Sequence, residues 1–369
     1  MENLSLDDIR GRDGVEVVVD DYGYQGEGYV RLADGFLSIP GALPGERIRV
    51  DVPDGDTGGS RVWGRLVEVL EPSDKRRDPL CDVDDVCRGC QIRHMTIGEE
   101  LRFHVRTVRE VAEKFGGLDE AARPEVDIIT PEPISRGDGF RIRTALTYRR
   151  RKQGCELGLV TPASESLVTM EECPALTTPV RRLVSTVSRS FDEADELPPG
   201  RQETIGGEDR PILQTVRVIS PVYGRGMIDL VVSGDLDAEQ LEAFVLDEPM
   251  ASLLERLEEE TADQVGISTC SGDVRRPVKS PERIRLPLAG LRLNVGFDDW
   301  MPATLEPTNA VYDRLLELLD LGSNESFLDV GCGIGTISLL ASREAGRVVG
   351  LDINRRSIDT AELNAVDHD

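Results

Sequence analysis

Between residues 8 and 71 apolar and polar positions alternate in short runs broken by glycine, proline and aspartate. Val15 to Val19, Tyr29 to Leu32, Phe36 to Ile39, Arg47 to Val52 and Arg61 to Leu70 each read as strands. Asp34-Gly35 signals a hairpin, and the glycine-rich stretch from Asp21 to Gly28 signals a turn. Strands this short and this closely spaced predict a five-stranded barrel, with Pro53 to Ser60 as a mobile loop.

The period then changes. Leu101, Val105, Val108, Ala112 and Phe115 form a helical apolar stripe closed by Gly116-Gly117, and Pro124 to Pro133 reads as connector. Alternation returns at Phe140 to Tyr148, Leu157 to Val160, Val216 to Ser220 and Met227 to Val232. Asp237 to Phe244 and Met250 to Glu260 read as helices, Leu286 to Phe297 as strand, and Asn309 to Leu319 as a helix entering the last region. Residues 96–300 are thus expected to form a central α+β domain.

The last region, 301–369, carries the most informative segment. An apolar strand (Phe327, Leu328, Val330) holds Asp329 and runs into three alternating glycines, Gly331, Gly333 and Gly335. A helix-like stretch from Ile337 to Ala341 follows, and then a second strand, Val348 to Leu351, delivers Asp352, 21 residues after Gly331. Glycines let backbone turn closely around a nucleotide-like ligand, and an acid at the next strand end accepts from ribose hydroxyls. The alternating spacing after Asp329 suits S-adenosylmethionine better than a dinucleotide.

At 369 residues the chain has room for two or three domains, and it contains no run of about 18 apolar residues that could span a membrane. Its acidic amino terminus lacks a signal-peptide pattern, so a cytoplasmic protein is expected. A formal charge of -26 would ordinarily argue against nucleic acid. Yet only four lysines (Lys75, Lys114, Lys152, Lys279) occur among 43 basic residues, against 69 acids. This acid-rich, lysine-poor composition resembles that of halophilic proteins. In molar salt, where the Debye length is roughly 3 Å, repulsion from RNA is largely screened.

Seven cysteines in such a chain argue for metal or catalytic use over disulfides. Cys81-x5-Cys87-x2-Cys90 gathers three thiols within ten residues. Soft donors favour zinc or an iron–sulfur cluster, and both want a fourth ligand. Cys173 is the best candidate, since a proline follows it and it is expected to begin a helix. Cys155, near a basic run, Cys270 and Cys332 are read as structural, and the three histidines are given no role. The dense basic run of Arg141, Arg143, Arg149, Arg150, Arg151 and Lys152 is expected to touch phosphate.

Two resemblances sharpen this picture. Val-Asp-Asp-Tyr-Gly-Tyr-Gln-Gly-Glu-Gly-Tyr-Val (19–30), followed by Ile39-Pro-Gly-Ala-Leu-Pro-Gly-Glu-Arg47, resembles a TRAM domain, an OB-like RNA-binding module. Tyr22, Tyr24, Tyr29 and Arg31 become its candidate RNA contacts. The cysteine segment ending Cys90-Gln-Ile-Arg-His94 resembles the RNA uridine-C5 methyltransferase family that modifies 23S rRNA and tRNA. The likeness continues through Gly139 to Arg143, Glu171-Glu-Cys-Pro174, Met301 to Asn309 and the glycine turn. It implies a [4Fe–4S] cluster on Cys81, Cys87, Cys90 and Cys173, and S-adenosylmethionine on Gly331, Gly333, Gly335, Thr336 and Asp352. The implied domains are a TRAM barrel at 8–71, an iron–sulfur segment at 79–95, the central α+β domain at 96–300 and a Rossmann-like methyltransferase domain from 301.

In that family a thiolate adds to uracil C6 and a carboxylate removes the C5 proton, both from sequence beyond an Asp-Pro-Pro strand end. The 43 residues from Phe327 to Asp369 contain no such tripeptide, whereas a domain needs on the order of 100. The nucleophilic cysteine and base are therefore expected beyond Asp369, no catalytic residue is assigned, and the methyltransferase domain is expected to be incomplete. Two readings stay open: an RNA methyltransferase completed elsewhere or by a separate chain, and a non-catalytic RNA-binding remnant of the same scaffold. The family's Phe-x-Gln-x-Asn motif reads Leu305-Glu-Pro307-Thr-Asn309 here, and Pro307 has no side-chain amide to offer.

Overall fold

The computed structural model describes residues 4–54, 59–79, 81–87, 89–115, 138–160, 167–200, 212–222 and 224–368. It divides into two compact units, Met1–Gly137 and Asp138–Asp369. Part of the expected loop at Pro53 to Ser60, the expected helix stop Gly116-Gly117 and the connector Pro124 to Pro133 lie outside the described residues.

The first unit opens with a one-turn helix, α1 (Leu6–Ile9), whose Ser5 and Asp8 form a capping box. Strands β1 (Val15–Val18), β2 (Asp21–Tyr22), β3 (Gly28–Arg31), β4 (Phe36–Ile39), β5 (Arg47–Asp51), β6 (Arg61–Trp63) and β7 (Arg65–Glu71) follow. They form two sheets, β1-β5-β7 and β2-β3-β4-β6. The run expected as a single strand from Arg61 to Leu70 is broken at Gly64, where the chain passes from one sheet to the other. A Cβ there would lie 2.6 Å from Val50 Cγ2, so only glycine lets the chain turn this corner. Val17, Leu37, Ile39, Ile48, Val50 and Val62 fill the space between the sheets. Fully burying each such side chain contributes about 1.5–3 kcal/mol.

Where a five-stranded barrel was expected, the seven strands thus lie in separate sheets of three and four, and α2 (Asp84–Cys87) and α3 (Ile97–Phe115) follow them. The stripe expected to bury α3 is not its buried face: Val108 is exposed and Leu101 and Val105 are half-buried. The helix instead buries Phe103, which packs with Tyr22, Leu43 and Met95, its ring 5.5 Å from that of Tyr22 in an edge-to-face arrangement. One aromatic ring anchors more than the aliphatic stripe does, because its large area meets a ring already fixed in the barrel.

In the second unit come β8 (Arg143–Arg150), β9 (Cys155–Val160), β10 (Leu167–Val168), α4 (Thr178–Asp192), β11 (Leu213–Val222), β12 (Arg225–Val232), α5 (Ala238–Leu246), α6 (Met250–Glu260), β13 (Val265–Ser271) and β14 (Val274–Lys279). The strands form one sheet, β10-β9-β8-β11-β12-β13-β14, in which only β12 and β13 run parallel. Helices α4 and α6 bury Val180, Val184, Val187, Leu253 and Leu257 in its core. Helix α4 and strands β13 and β14 escape the alternation rule. Every residue of β13 is buried, so it shows no alternation to read.

The stretch expected as one strand from Leu286 to Phe297 is a hairpin, β15 (Ile284–Leu288) and β16 (Leu291–Val295), turning at Ala289 and Gly290 with positive φ at both. It is followed by α7 (Glu306–Leu319), β17 (Ser326–Val330), α8 (Thr336–Ala341), β18 (Arg347–Leu351) and α9 (Arg355–His368). β17 and β18 pair in parallel, and Ile334 and Leu340 join Leu286, Leu293 and Tyr312 in a second core. Among the described residues no helix is long and apolar enough to cross a membrane.

Trp63 and Trp300 place one tryptophan in each unit, so Trp300→Phe leaves a reporter of the first. In that background Phe103→Ala should destabilise the first unit by about 3 kcal/mol, read as a lower denaturant midpoint in Trp63 fluorescence. An unchanged midpoint would show that Phe103 does not anchor α3.

Candidate cofactor cradle and nucleic-acid surface

β17 ends at Val330, and the three glycines turn the chain into α8. Gly331, Gly333 and Gly335 have φ of 82°, 53° and 85°, a region costly for residues bearing a Cβ. The Gly331 and Cys332 amides donate to the Leu351 carbonyl at 2.7 and 3.0 Å, holding the turn against the end of β18. A Cβ on Gly335 would lie 3.3 Å from Ala361 Cβ, so the third glycine also lets α8 approach α9. Asp329 accepts from Ser338 Oγ at 2.7 Å, fixing the strand to the first turns of α8.

Asp352 closes the cradle. One carboxylate oxygen accepts from the Gly333 amide and the other from the Asn354 amide, both at 2.7 Å. These backbone bonds, the Asn354 one foremost, hold its carboxyl below the ordinary carboxylate pKa. The acid is therefore charged at neutral pH and keeps lone pairs free for ribose hydroxyls. Thr336, expected beside the cofactor, lies buried in the first turn of α8. Cys332 sits in the turn itself, its thiol pKa raised by burial and by Asp329 and Asp352.

The motif residue Asn309 serves the scaffold. Its side-chain oxygen accepts from the Ala289 amide at 2.8 Å, tying α7 to the hairpin turn of β15 and β16. Pro307 occupies the first turn of α7, where a missing amide hydrogen costs nothing.

A methyltransferase-domain family model matches residues 321–369, the cradle and α9. The chain is 26% identical to an RNA methyltransferase of Halalkalibacterium halodurans over 368 residues, covering 97% of this chain and 75% of that one. It is also 26% identical to the 23S rRNA (uracil(1939)-C(5))-methyltransferase RlmD of Vibrio parahaemolyticus, over 95% of this chain and 72% of that one. Over nearly its whole length the chain is thus similar to RNA methyltransferases. In fold it is similar to the Pyrococcus abyssi tRNA (uracil-54, C5)-methyltransferase solved with S-adenosyl-L-homocysteine. The TM-score is 0.65 at 17% identity, covering 96% of this chain and 77% of that one.

A second candidate surface lies on the β2-β3-β4-β6 sheet. Tyr29 and Phe36 meet edge-to-face at 5.6 Å, Arg31 lies over Tyr29, and Arg61 lies over Trp63 at 5.8 Å. Arg31 pairs with Phe36 and Phe36 with Arg61 across adjacent strands, which puts these side chains on one outward face. Tyr24 is exposed and carries Lys114 at 5.2 Å. Of the four residues expected here, Tyr22 does not belong: it is buried, and its hydroxyl donates to Glu99 at 3.1 Å. Phe36, Arg61 and Trp63 were missed, although Arg61-x-Trp63 has the two-residue spacing of one strand face.

The basic run differs from expectation. The Arg150 guanidinium donates to the Leu197 carbonyl, and Arg151 pairs with Glu156 at 2.8 Å, so both serve the fold. On β8, Arg143 is exposed.

No disulfide joins any of the seven cysteines. Cys81, Cys87 and Cys90 are half-buried, as is Cys173, which lies in a turn ahead of α4 rather than beginning that helix. Among the described residues no three His, Cys, Asp or Glu side chains converge on a metal centre. Arg93, three residues after Cys90, is buried with all three guanidinium nitrogens unpaired. Burial foremost, then Asp192 and Glu156, pushes the Cys155 thiol up to about 12, and burial with Asp229 pushes Cys270 up to about 11. Neither offers a thiolate near neutral pH.

Asp352→Asn should weaken S-adenosylhomocysteine binding about tenfold, measured by titration calorimetry, because an amide accepts at fewer sites and carries no charge. Unchanged affinity would remove Asp352 from the cofactor site.

Proposed function

We propose that the chain serves S-adenosylmethionine-dependent methylation of uridine C5 in RNA, with 23S rRNA and tRNA as the substrate classes. The observation that carries this reading is the cradle: three left-handed glycines backed by an ionised acid at the next strand end. The relatives' activities point the same way.

Uracil C5 is not nucleophilic until a thiolate adds to C6, which makes C5 enolate-like and able to attack the methyl group on sulfur. S-adenosylhomocysteine leaves, a base then takes the C5 proton, and the C6–S bond breaks to restore the ring and the thiol. The residues assigned to this reaction are Gly331, Gly333, Gly335 and Asp352, which hold and orient the methyl donor. No cysteine among the described residues is assigned as nucleophile. Tyr24, Tyr29, Arg31, Phe36, Arg61 and Trp63 offer stacking faces for unstacked bases, each such stack contributing about 1–3 kcal/mol.

A [4Fe–4S] cluster on Cys81, Cys87 and Cys90, with Cys173 as the implied fourth thiol, forms part of the same proposal. The donor set fits in softness and number, and the unpaired buried guanidinium of Arg93 fits an anionic neighbour. Such a cluster supplies structural cross-linking, and no methyl-transfer step passes through it. The composition supports a cytoplasmic, halophilic setting for the protein.

Protein purified anaerobically in molar potassium chloride should transfer labelled methyl groups from S-adenosylmethionine to uridine in unmodified 23S rRNA or tRNA transcripts. RNA binding without incorporation would favour the non-catalytic reading. The same preparation should contain about four irons and four acid-labile sulfides per chain. Stoichiometric zinc without sulfide would overturn the cluster.

A further inference from the structure

In the second unit, Asp229 lies at the centre of the seven-stranded sheet, fully buried. It accepts from Arg217 on β11, Ser268 on β13 and Arg275 on β14. Arg275 reaches onward, donating through two nitrogens to both carboxylate oxygens of Asp298 at 3.0 and 2.7 Å. Phe297 lies beneath both guanidiniums, which sit 5.4 and 5.5 Å from its ring centroid.

Asp298 then receives a second arginine from the other side. Arg356, in the first turn of α9, donates to it at 2.7 Å and also to the Asp273 carbonyl. Burial alone would raise the Asp298 pKa, but the Arg275 and Arg356 guanidiniums reverse this and keep it ionised. The last link is short. Asp352 holds the Asn354 amide, and Asn354 Oδ1 accepts from the Arg356 amide at 3.1 Å. An unbroken series of hydrogen bonds therefore runs from the cradle acid through Arg356, Asp298 and Arg275 to the buried carboxylate of the sheet.

The neighbouring Asp299 grips the same helix, accepting from Ser357 and Thr360 at 3.2 and 3.1 Å and from the Gly296 amide at 2.8 Å. Asp299 is buried and fixes α9 as a body. Asp298 and Arg356 are partly exposed and act at its first turn, where the cradle acid is held. Asp299, with Asn364 bonded to Asn294, seats the body of the helix, and the Arg356–Asp298 pair acts at its first turn.

From this geometry we infer that Asp298 and Arg356 are positioning residues for S-adenosylmethionine, setting the direction of Asp352 by anchoring its loop to the central sheet. The inference rests on the reading of the glycine turn as the cofactor site.

Arg356→Gln and Asp298→Asn should each weaken S-adenosylhomocysteine binding about tenfold in the full chain, with little change in melting temperature for the more exposed Arg356 variant. The double variant should bind no more weakly than the worse single one, since the Arg356–Asp298 bond is lost in both. Arg356→Lys, which keeps the charge, should recover most of the affinity. RNA binding should be unchanged throughout. Wild-type binding with unaltered variants would overturn the positioning role alone. Affinity losses that add in the double variant and follow the melting temperature would reduce the pair to general stabilisation, also overturning it. A wild type that fails to bind S-adenosylhomocysteine would overturn the cofactor reading and the inference with it. If Asp298→Asn does not fold, the Arg356→Gln and Arg356→Lys comparison decides.

Discussion

A carboxylate with no access to water cannot stay charged without compensation, and Asp229 meets that condition in the middle of β12. Its neighbours in the sheet are arranged to satisfy it. Arg217 comes from the adjacent β11, and Ser268 comes from β13, directly opposite in the parallel register that pairs Asp229 with Ser268. Arg275 comes from β14 and brings Asp298 with it. A slip of one residue in β11 or β13 would turn one of these partners to the other face of the sheet and leave a bare buried charge. The polar cluster thus works against misregistration in the part of the sheet where alternation is least informative, since all of β13 is buried.

How much was legible in the sequence followed from how local the cause was. The barrel strands, α5, α6 and the cradle are set by neighbours in sequence: alternation, an Asp237 capping box, glycines at fixed spacing. The place of Asp352 just after β18, beside the glycine turn, was readable because strand, turn and acid form a local pattern. Features that depend on distant partners were not visible. The alternating run from Arg61 to Leu70 concealed a change of sheet at Gly64, which only the proximity of Val50 reveals. The stripe along α3 was a fair helical signal, yet the buried face was chosen by Tyr22, some 80 residues earlier. Tyr22 itself looked like a surface aromatic until Glu99 supplied its partner. Arg150 and Arg151 looked like phosphate ligands, but a carbonyl and a carboxylate of the fold take them.

The same accounting alters the meaning of the overall charge. Many arginines face acids within the chain: Arg47 and Arg49 meet Glu16, Arg76 meets the buried Glu46, and Arg217 and Arg275 meet Asp229. The acid surplus is therefore left mostly to the surface. A nucleic acid approaching the first unit finds arginines lying over tyrosine and tryptophan rather than a broad basic field. Aromatic faces of this kind favour stacking, which depends less on salt than phosphate contact does.

The left-handed glycine turn has a thermodynamic consequence of its own. Its three positive φ angles, its bonds to Leu351 and its tie to Asp352 are all supplied by the chain itself. The conformational entropy of shaping the loop is thus lost during folding rather than during association. A ligand entering the cradle meets a turn and a carboxylate already held in place, so little of its binding energy goes into ordering the protein.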